Sequence, residues 1–286
     1  MVKLAALGLS VLVAAAACGS SIRTAQRPSP TTSPPPAFAD FQVVTGALAC
    51  AGSGTAEDIY YPRWTGAAAP AVVFIHGGAW TSGSRTDVRQ TEPLPTVLRQ
   101  RGYAVVSIDY RLAPGSRWPA MFDDARCALD SLRADAAGLG IDAQRIAVMG
   151  VSAGAQLALL LGFELPQSER PAAVIDVSGP VDLTSPEFGY GKSAIGQQVF
   201  GAASSSDPVL RSASPVTYVA PGDPPVLILH GTADQLVPYD QALELQSALQ
   251  KVNDKVQLVA IPNGTHDLAG ALGAESALLS FLQANV

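Results

Sequence analysis

From Phe41 onward, apolar and polar positions fall into two kinds of block that take turns along the chain. One kind is a short, nearly unbroken apolar run. Ala71-Val72-Val73-Phe74-Ile75, Tyr103 to Ile108, Arg145-Ile146-Ala147-Val148-Met149, Pro171 to Val177, Pro225 to Leu229 and Val256 to Ala260 are of this kind. Their length and their Gly, Pro or polar borders predict strands, most of them buried on both faces. Asp58-Ile59-Tyr60-Tyr61, closed by Pro62, predicts one more strand near the start. The other kind has helical spacing: Asp87 to Arg101, Met121 to Leu139, Ala155 to Leu161, Tyr239 to Val252 and Ala271 to Leu282. Strands alternating with helices predict an α/β chain with a mainly parallel central sheet and helices on both faces.

One interval breaks the alternation. Between Val177 and Val226 no strand is predicted, Gly, Ser and Pro accumulate, and a short helix is expected over Ser193 to Phe200. Long irregular connections are usually lids or binding loops, so residues 180–222 are expected to form a small lid-like insertion, the alternative being a surface loop.

The N-terminus has a different pattern. Lys3 precedes an apolar stretch from Leu4 to Ala17, too short to span a bilayer comfortably, and Ala15-Ala16-Ala17 then precede Cys18. Residues 1–18 resemble a bacterial lipoprotein signal in which Cys18 becomes the lipidated first residue, with Ala15 where Leu or Val is more usual. The alternative is a plain secretory signal. Both imply export, with a membrane lipid as partner in the first case. Residues 19–38 are rich in Ser, Thr and Pro; they lack the apolar surface to fold and are expected to act as an extended tether. The remaining 39–286 suit one domain.

Composition narrows the function classes. Of the 286 residues 48% are hydrophobic and 15% charged, which supplies a sizeable core. The net charge of −6, with no Lys/Arg-rich run, leaves nucleic-acid binding without an electrostatic footprint. Cys50 and Cys127 remain after Cys18; export permits a disulfide between them, and a buried free thiol at Cys127 is the alternative.

The candidate chemistry starts at Gly150-Val151-Ser152-Ala153-Gly154. This G-x-S-x-G lies between a predicted strand and a predicted helix, the setting of a nucleophile elbow, in which a serine is held exposed on a strained turn. Serine is a weak nucleophile and needs a positioned base, which in turn needs an orienting acid. All three histidines, His76, His230 and His266, fall at or just after predicted strand ends, where such sheets place their functional crevice. The chain order Ser, then acid, then His makes His266 the base if Asp234 is the acid, with His230 supporting the turn; Asp182 is the competing acid. His76-Gly77-Gly78-Ala79-Trp80 has the glycines to converge backbone N–H groups on one point. Gly78 and Ala79, with Ala153 after the nucleophile, are the candidate oxyanion donors. Trp80, Phe188, Tyr190 and Phe200 are candidates for lining a substrate pocket, with core packing as the alternative. No Cys/His ligand cluster is present, so neither a metal nor another cofactor is expected.

These motifs, with Asp109-Tyr110-Arg111-Leu112-Ala113-Pro114 and His230-Gly231-Thr232-Ala233-Asp234, resemble the α/β-hydrolase esterases. The nearest resemblance is to the bifunctional feruloyl/acetyl-xylan esterase-like group, close to the hormone-sensitive-lipase type, over roughly Phe41 to the C-terminus. It implies Ser152 as nucleophile, Asp234 as acid and His266 as base, with oxyanion donors from Gly78, Ala79 and Ala153. It also implies a loop at Asp109 to Pro114 that braces the oxyanion strand. The oxyanion motif departs from His-Gly-Gly-Gly, and Val151 stands where Asp or His is frequent; neither change removes a catalytic atom. The expected activity is hydrolysis of a small-molecule carboxylic ester, of short acyl or acetyl/aryl type. A serine amidase or peptidase of the same fold, or an inactive binding lipoprotein, is the alternative.

Overall fold

The computed structural model describes residues 42–50, 52–63, 66–91, 94–186, 193–266 and 274–286. The expected signal segment with Cys18, the tether, and the aromatics Phe188 and Tyr190 lie outside them.

The predicted apolar runs become consecutive strands of one sheet. β1 (Val43–Ala49), β2 (Ala56–Tyr60), β3 (Ala69–Ile75), β4 (Ala104–Ile108), β5 (Ile141–Val151), β6 (Ala173–Val177), β7 (Val226–Gly231) and β8 (Val256–Ile261) lie in the order β1-β2-β4-β3-β5-β6-β7-β8. β1 with β2 and β2 with β4 are antiparallel, and every other pair is parallel. β4, β6 and β7 are buried along their whole length, which is why they read as apolar runs without alternation.

The described residues form six α-helices: α1 (Leu94–Gln100), α2 (Ala120–Asp135), α3 (Ala153–Phe163), α4 (Pro208–Ser212), α5 (Asp240–Lys251) and α6 (Ala274–Asn285). Leu129 and Leu132 of α2, Leu157 and Leu160 of α3, and Leu245 and Leu249 of α5 share one apolar layer with Val73 and Val148. Leu98 of α1 and Leu278 and Leu282 of α6 share the other with Val72 and Met149. Each fully buried leucine of this kind contributes about 1.5–3 kcal/mol relative to exposure. Every residue of α3 is buried, which explains its nearly unbroken apolar sequence. Cys50, just after β1, and Cys127 on α2 are joined by a disulfide that ties the antiparallel edge to the helical layer.

Two boundaries differ from the sequence expectation for local reasons. The helix expected over Asp87 to Arg101 is a 3-10 stretch, Arg85–Thr91, followed by α1. Pro95 then stands in the first turn of α1, where its missing N–H costs nothing. The interval between β6 and β7 holds a π-helical turn at Gly196–Phe200, α4, and a 3-10 turn at Pro215–Tyr218. Val199, Phe200, Leu210 and Ala213 from it join the main apolar layer, so its described part is packed into the domain.

The topology decides where a site can form. β3 is flanked by β4 on one side and β5 on the other. The chain therefore leaves β3 in one direction and returns through β5 in the other, and the loops at their carboxyl ends open a crevice at the switch point. These two loops carry His76 to Trp80 and Ser152.

Candidate active site

Ser152 lies between the last residue of β5 and the first of α3, with φ 54° and ψ −118°. This is costly backbone for a residue with a Cβ, and such strain persists only where the surroundings impose it. They do so here. The Ser152 N–H donates to the Val177 carbonyl at 2.8 Å, and the Ser152 carbonyl accepts from the Ala155 N–H at 2.9 Å. Gly150 and Gly154 make the tight turn possible: a Cβ on Gly150 would stand 2.1 Å from the Gly154 oxygen, and one on Gly154 would stand 2.2 Å from the Ile75 oxygen. The Gly-x-Ser-x-Gly spacing is thus a steric requirement of the strand–turn–helix junction.

The structure brings three of the expected residues together. His266 Nε2 is 2.9 Å from Ser152 Oγ, and His266 Nδ1 is 2.7 Å from Asp234 Oδ2. Asp234, after β7, is buried, and its Oδ1 accepts the N–H groups of Leu236 at 2.8 Å and Val237 at 2.9 Å. One carboxylate oxygen is thus anchored by backbone and the other left for the histidine. The competing acid, Asp182, is engaged locally: its Oδ1 accepts the Thr184 N–H at 2.8 Å and hydroxyl at 2.6 Å.

The other two histidines are held as loop fixtures. His230 is buried, its Nε2–H donates to the Val237 carbonyl at 2.9 Å, and Asp234 Oδ2 lies 3.4 Å from the same nitrogen. Burial lowers its pKa, against the opposing pull of the Val237 carbonyl and Asp234. His76 donates from Nδ1 to the Gly77 carbonyl at 2.7 Å and stacks on Tyr110 with ring centroids 4.2 Å apart. Burial lowers its pKa as well.

The loop after β3 has unusual backbone. Gly78, Ala79 and Trp80 have φ of 101°, 51° and 57°. Three successive positive φ values turn the chain sharply after β3. Among the described residues, the Gly78 and Ala79 N–H groups have no backbone acceptor. The Ala153 N–H heads α3 and has no acceptor within the helix. Tyr110, from the Asp109 to Pro114 loop, donates its hydroxyl to the His76 and Gly77 carbonyls at 3.0 and 3.1 Å, and Ala113 N–H donates to the Trp80 carbonyl at 2.9 Å.

Trp80 takes the core-packing alternative. It is 1% exposed, packs edge-on against Phe200 with centroids 5.1 Å apart, and has no surface to offer a substrate. Its indole N–H donates to Gln156 Oε1 at 3.1 Å. Phe200 is buried with it and also takes the core alternative. Tyr190 lies outside the described residues. Of the buried carboxyls that the sequence reading does not single out, two have strongly raised pKa values. Asp176 on β6 sits opposite Gly150 in the sheet and accepts the Gly179 N–H at 2.8 Å, and burial pushes its pKa up to about 7. Glu57 on β2 is pushed up to about 8 by burial.

With this geometry in view, the comparisons with known proteins are specific. The model of the BD-FAE family matches residues 57–249. Esterase LipC of Mycobacterium tuberculosis is 33% identical over 214 residues, covering 69% of this chain and 53% of LipC. Ethyl acetate hydrolase of Pseudomonas putida is 33% identical over 214 residues, covering 70% of this chain and 66% of that protein. The chain spans about half the length of several curated relatives that it matches. Among solved structures, a thermophilic esterase of Thermogutta terrifontis has a TM-score of 0.66 at 25% identity, covering 85% of this chain and 89% of that one. That esterase has also been solved with propionate bound, with butyrate bound, and phosphorylated by paraoxon.

Proposed function

The chain belongs to the BD-FAE family and has the α/β-hydrolase fold, and from that premise we propose that it is an exported serine hydrolase of carboxylic esters. The observation that carries this reading is the His266 ring, which spans Ser152 Oγ at 2.9 Å and Asp234 Oδ2 at 2.7 Å. In the proposed cycle Ser152 Oγ attacks the acyl carbon while His266 Nε2 takes its proton. Asp234 holds Nδ1–H, fixes the tautomer and stabilises the imidazolium. The N–H groups of Gly78, Ala79 and Ala153 receive the developing oxyanion; one such donor is typically worth about 100- to 1000-fold in rate. His266 then protonates the leaving alcohol, and water releases the acyl group by the same route in reverse.

A short acyl group is the preferred substrate in this reading. It is supported by the name of the P. putida relative and by the propionate and butyrate held by the T. terrifontis esterase. Export and lipid attachment at Cys18 rest on the residues around that cysteine and on the proline-rich tether behind it. A disulfide between Cys50 and Cys127 fits an oxidising compartment.

The test is hydrolysis of p-nitrophenyl esters from acetate to decanoate by the purified chain and by Ser152→Ala. Turnover falling with acyl length in the wild type, and background rates in the variant, are expected. Equal rates in both would exclude Ser152. A folded wild type that cleaves anilides and no esters would favour the amidase alternative.

A further inference from the structure

Gln156 is the one polar side chain on a helix that is otherwise small and apolar. It lies one turn after Ser152 on α3 and is 0% exposed. Its Oε1 accepts the Trp80 indole N–H at 3.1 Å, and its Nε2 donates to the Ala213 carbonyl at 2.7 Å. The indole can only donate and the carbonyl can only accept, so the group between them must do both. An aliphatic side chain of similar size would leave two buried polar groups unpaired, which no helical packing requirement explains.

The two partners give this link its meaning. Trp80 closes the loop that carries Gly78 and Ala79, and both Ala79 and Trp80 are in the left-handed region, at φ 51° and 57°. Non-glycine residues are held there only by their surroundings. Ala213 ends α4, in the segment inserted between β6 and β7. Phe200 of the same segment packs against Trp80, and Val199 accepts the Trp118 N–H at 2.9 Å.

We propose that Gln156 is a positioning residue: it clamps the oxyanion loop, through Trp80, to the nucleophile helix and to the inserted segment, and so holds the Gly78 and Ala79 N–H groups on the oxyanion. The assignment rests on the esterase reading above. It makes the inserted segment around Ala213 part of the catalytic frame, fixed during turnover.

Three variants of the full chain test it. Gln156→Met keeps the volume and removes both hydrogen bonds. Gln156→Glu, kept protonated by burial, can still accept from Trp80 and donate to Ala213. Trp80→Phe removes the indole N–H and keeps an aromatic ring. The readouts are kcat and KM on p-nitrophenyl acetate, and Ki for a trifluoromethyl ketone, whose adduct with Ser152 places an oxyanion where the reaction does. Losses of this kind scale with misplacement, about 100-fold per ångström, so Gln156→Met is expected to lower kcat about 10-fold or more and raise Ki in parallel. KM should change less than about 3-fold, because the loss falls on the transition state. Trp80→Phe should reproduce the direction. Gln156→Glu should recover most of kcat at pH 7 and lose it again as the pH rises and the carboxyl ionises. Gln156→Met with a lower melting temperature but wild-type kcat and Ki would overturn the assignment and leave Gln156 a packing residue. If Gln156→Met does not fold, wild-type kcat and Ki in Trp80→Phe would overturn it equally. A wild type with neither turnover nor ketone binding would overturn the esterase reading, and this assignment with it.

Discussion

His230 places its Nε2 3.4 Å from Asp234 Oδ2, the same oxygen that His266 Nδ1 reaches at 2.7 Å. The two rings approach one carboxylate oxygen but have different tasks. The His230 Nε2–H donates to the Val237 carbonyl and the ring is sealed from solvent, whereas the His266 side chain is 20% exposed and faces Ser152. His266→Ala is expected to lower kcat at least about 1000-fold. His230→Asn should keep kcat within about 10-fold while lowering the melting temperature, because it disturbs a buried hydrogen bond worth about 1 kcal/mol. Ester kinetics beside thermal melts separate the two.

Asp234→Asn and Asp182→Asn discriminate the two acids. An asparagine at 234 can present its amide to His266 and favour the wrong tautomer, a change that costs about 10,000-fold in comparable triads. Asp182 spends its Oδ1 on the Thr184 N–H and hydroxyl, so Asp182→Asn should leave kcat within about 3-fold. Steady-state kinetics at one pH decide between them.

The elbow should tolerate no side chain at its flanking glycines. A Cβ at Gly150 would meet the Gly154 oxygen at 2.1 Å, and the three nearest atoms are all backbone, with no flexible group to yield. Gly150→Ala is expected to destabilise the domain by about 3 kcal/mol or more and to lose activity. Urea denaturation followed by tryptophan fluorescence measures it.

Glu57 makes stability depend on pH in a direction opposite to most carboxylates. Burial pushes its folded-state pKa from 4.5 to about 8, and among the described residues neither of its side-chain oxygens has a hydrogen-bond partner. The folded state therefore holds a proton that the unfolded state releases above pH 4.5, so this group's contribution is fully present below that pH and is lost as the pH rises toward 8. The loss amounts to about 1.4 kcal/mol per pH unit within the window, as an upper bound. Glu57→Gln should be the more stable protein at pH 8 and show a flatter stability profile from pH 5 to 8. Urea midpoints across that range give the slope, and parallel wild-type and variant profiles would contradict it.

Breaking the link between Cys50 and Cys127 should loosen the antiparallel edge. The bridge spans a separation of 77 residues and pins the region after β1 to α2. Cys127→Ser is expected to cost about 2–5 kcal/mol, and dithiothreitol should lower the wild-type melting temperature toward that of the variant. Calorimetry with and without the reductant shows both.

Much of this arrangement was legible in the sequence because the sheet interior leaves no choice of residue. Val72, Val105, Val148 and Ile228 are covered on both sides, so their strands appear as apolar runs. The β1 strand was not legible: Gly46, at φ 62°, interrupts its pattern, and it pairs on one side only, at the sheet edge. The start of β5 was hidden by Asp142 to Arg145, which lie in the irregularity between the pairs Ala69–Ile141 and Ala71–Ile146. Ser152, Asp234 and His266 stood out because each follows a strand end in a fixed order, and order survives in a linear chain. The role of Trp80 and the presence of Gln156 in the frame were not legible. An aromatic beside a glycine loop looks the same whether it lines a pocket or fills the core, and one glutamine in an apolar helix carries no sign of what it touches 76 residues earlier and 57 residues later.

The central claim is that Ser152 becomes acylated, and covalent trapping tests it most directly. The chain is treated with a fluorophosphonate, and the adduct is located by peptide mass spectrometry. One adduct is predicted on Ser152, formed at least about 100-fold more slowly in His266→Ala and absent in Ser152→Ala. An adduct on another residue, or unchanged ester hydrolysis by Ser152→Ala, would contradict the account.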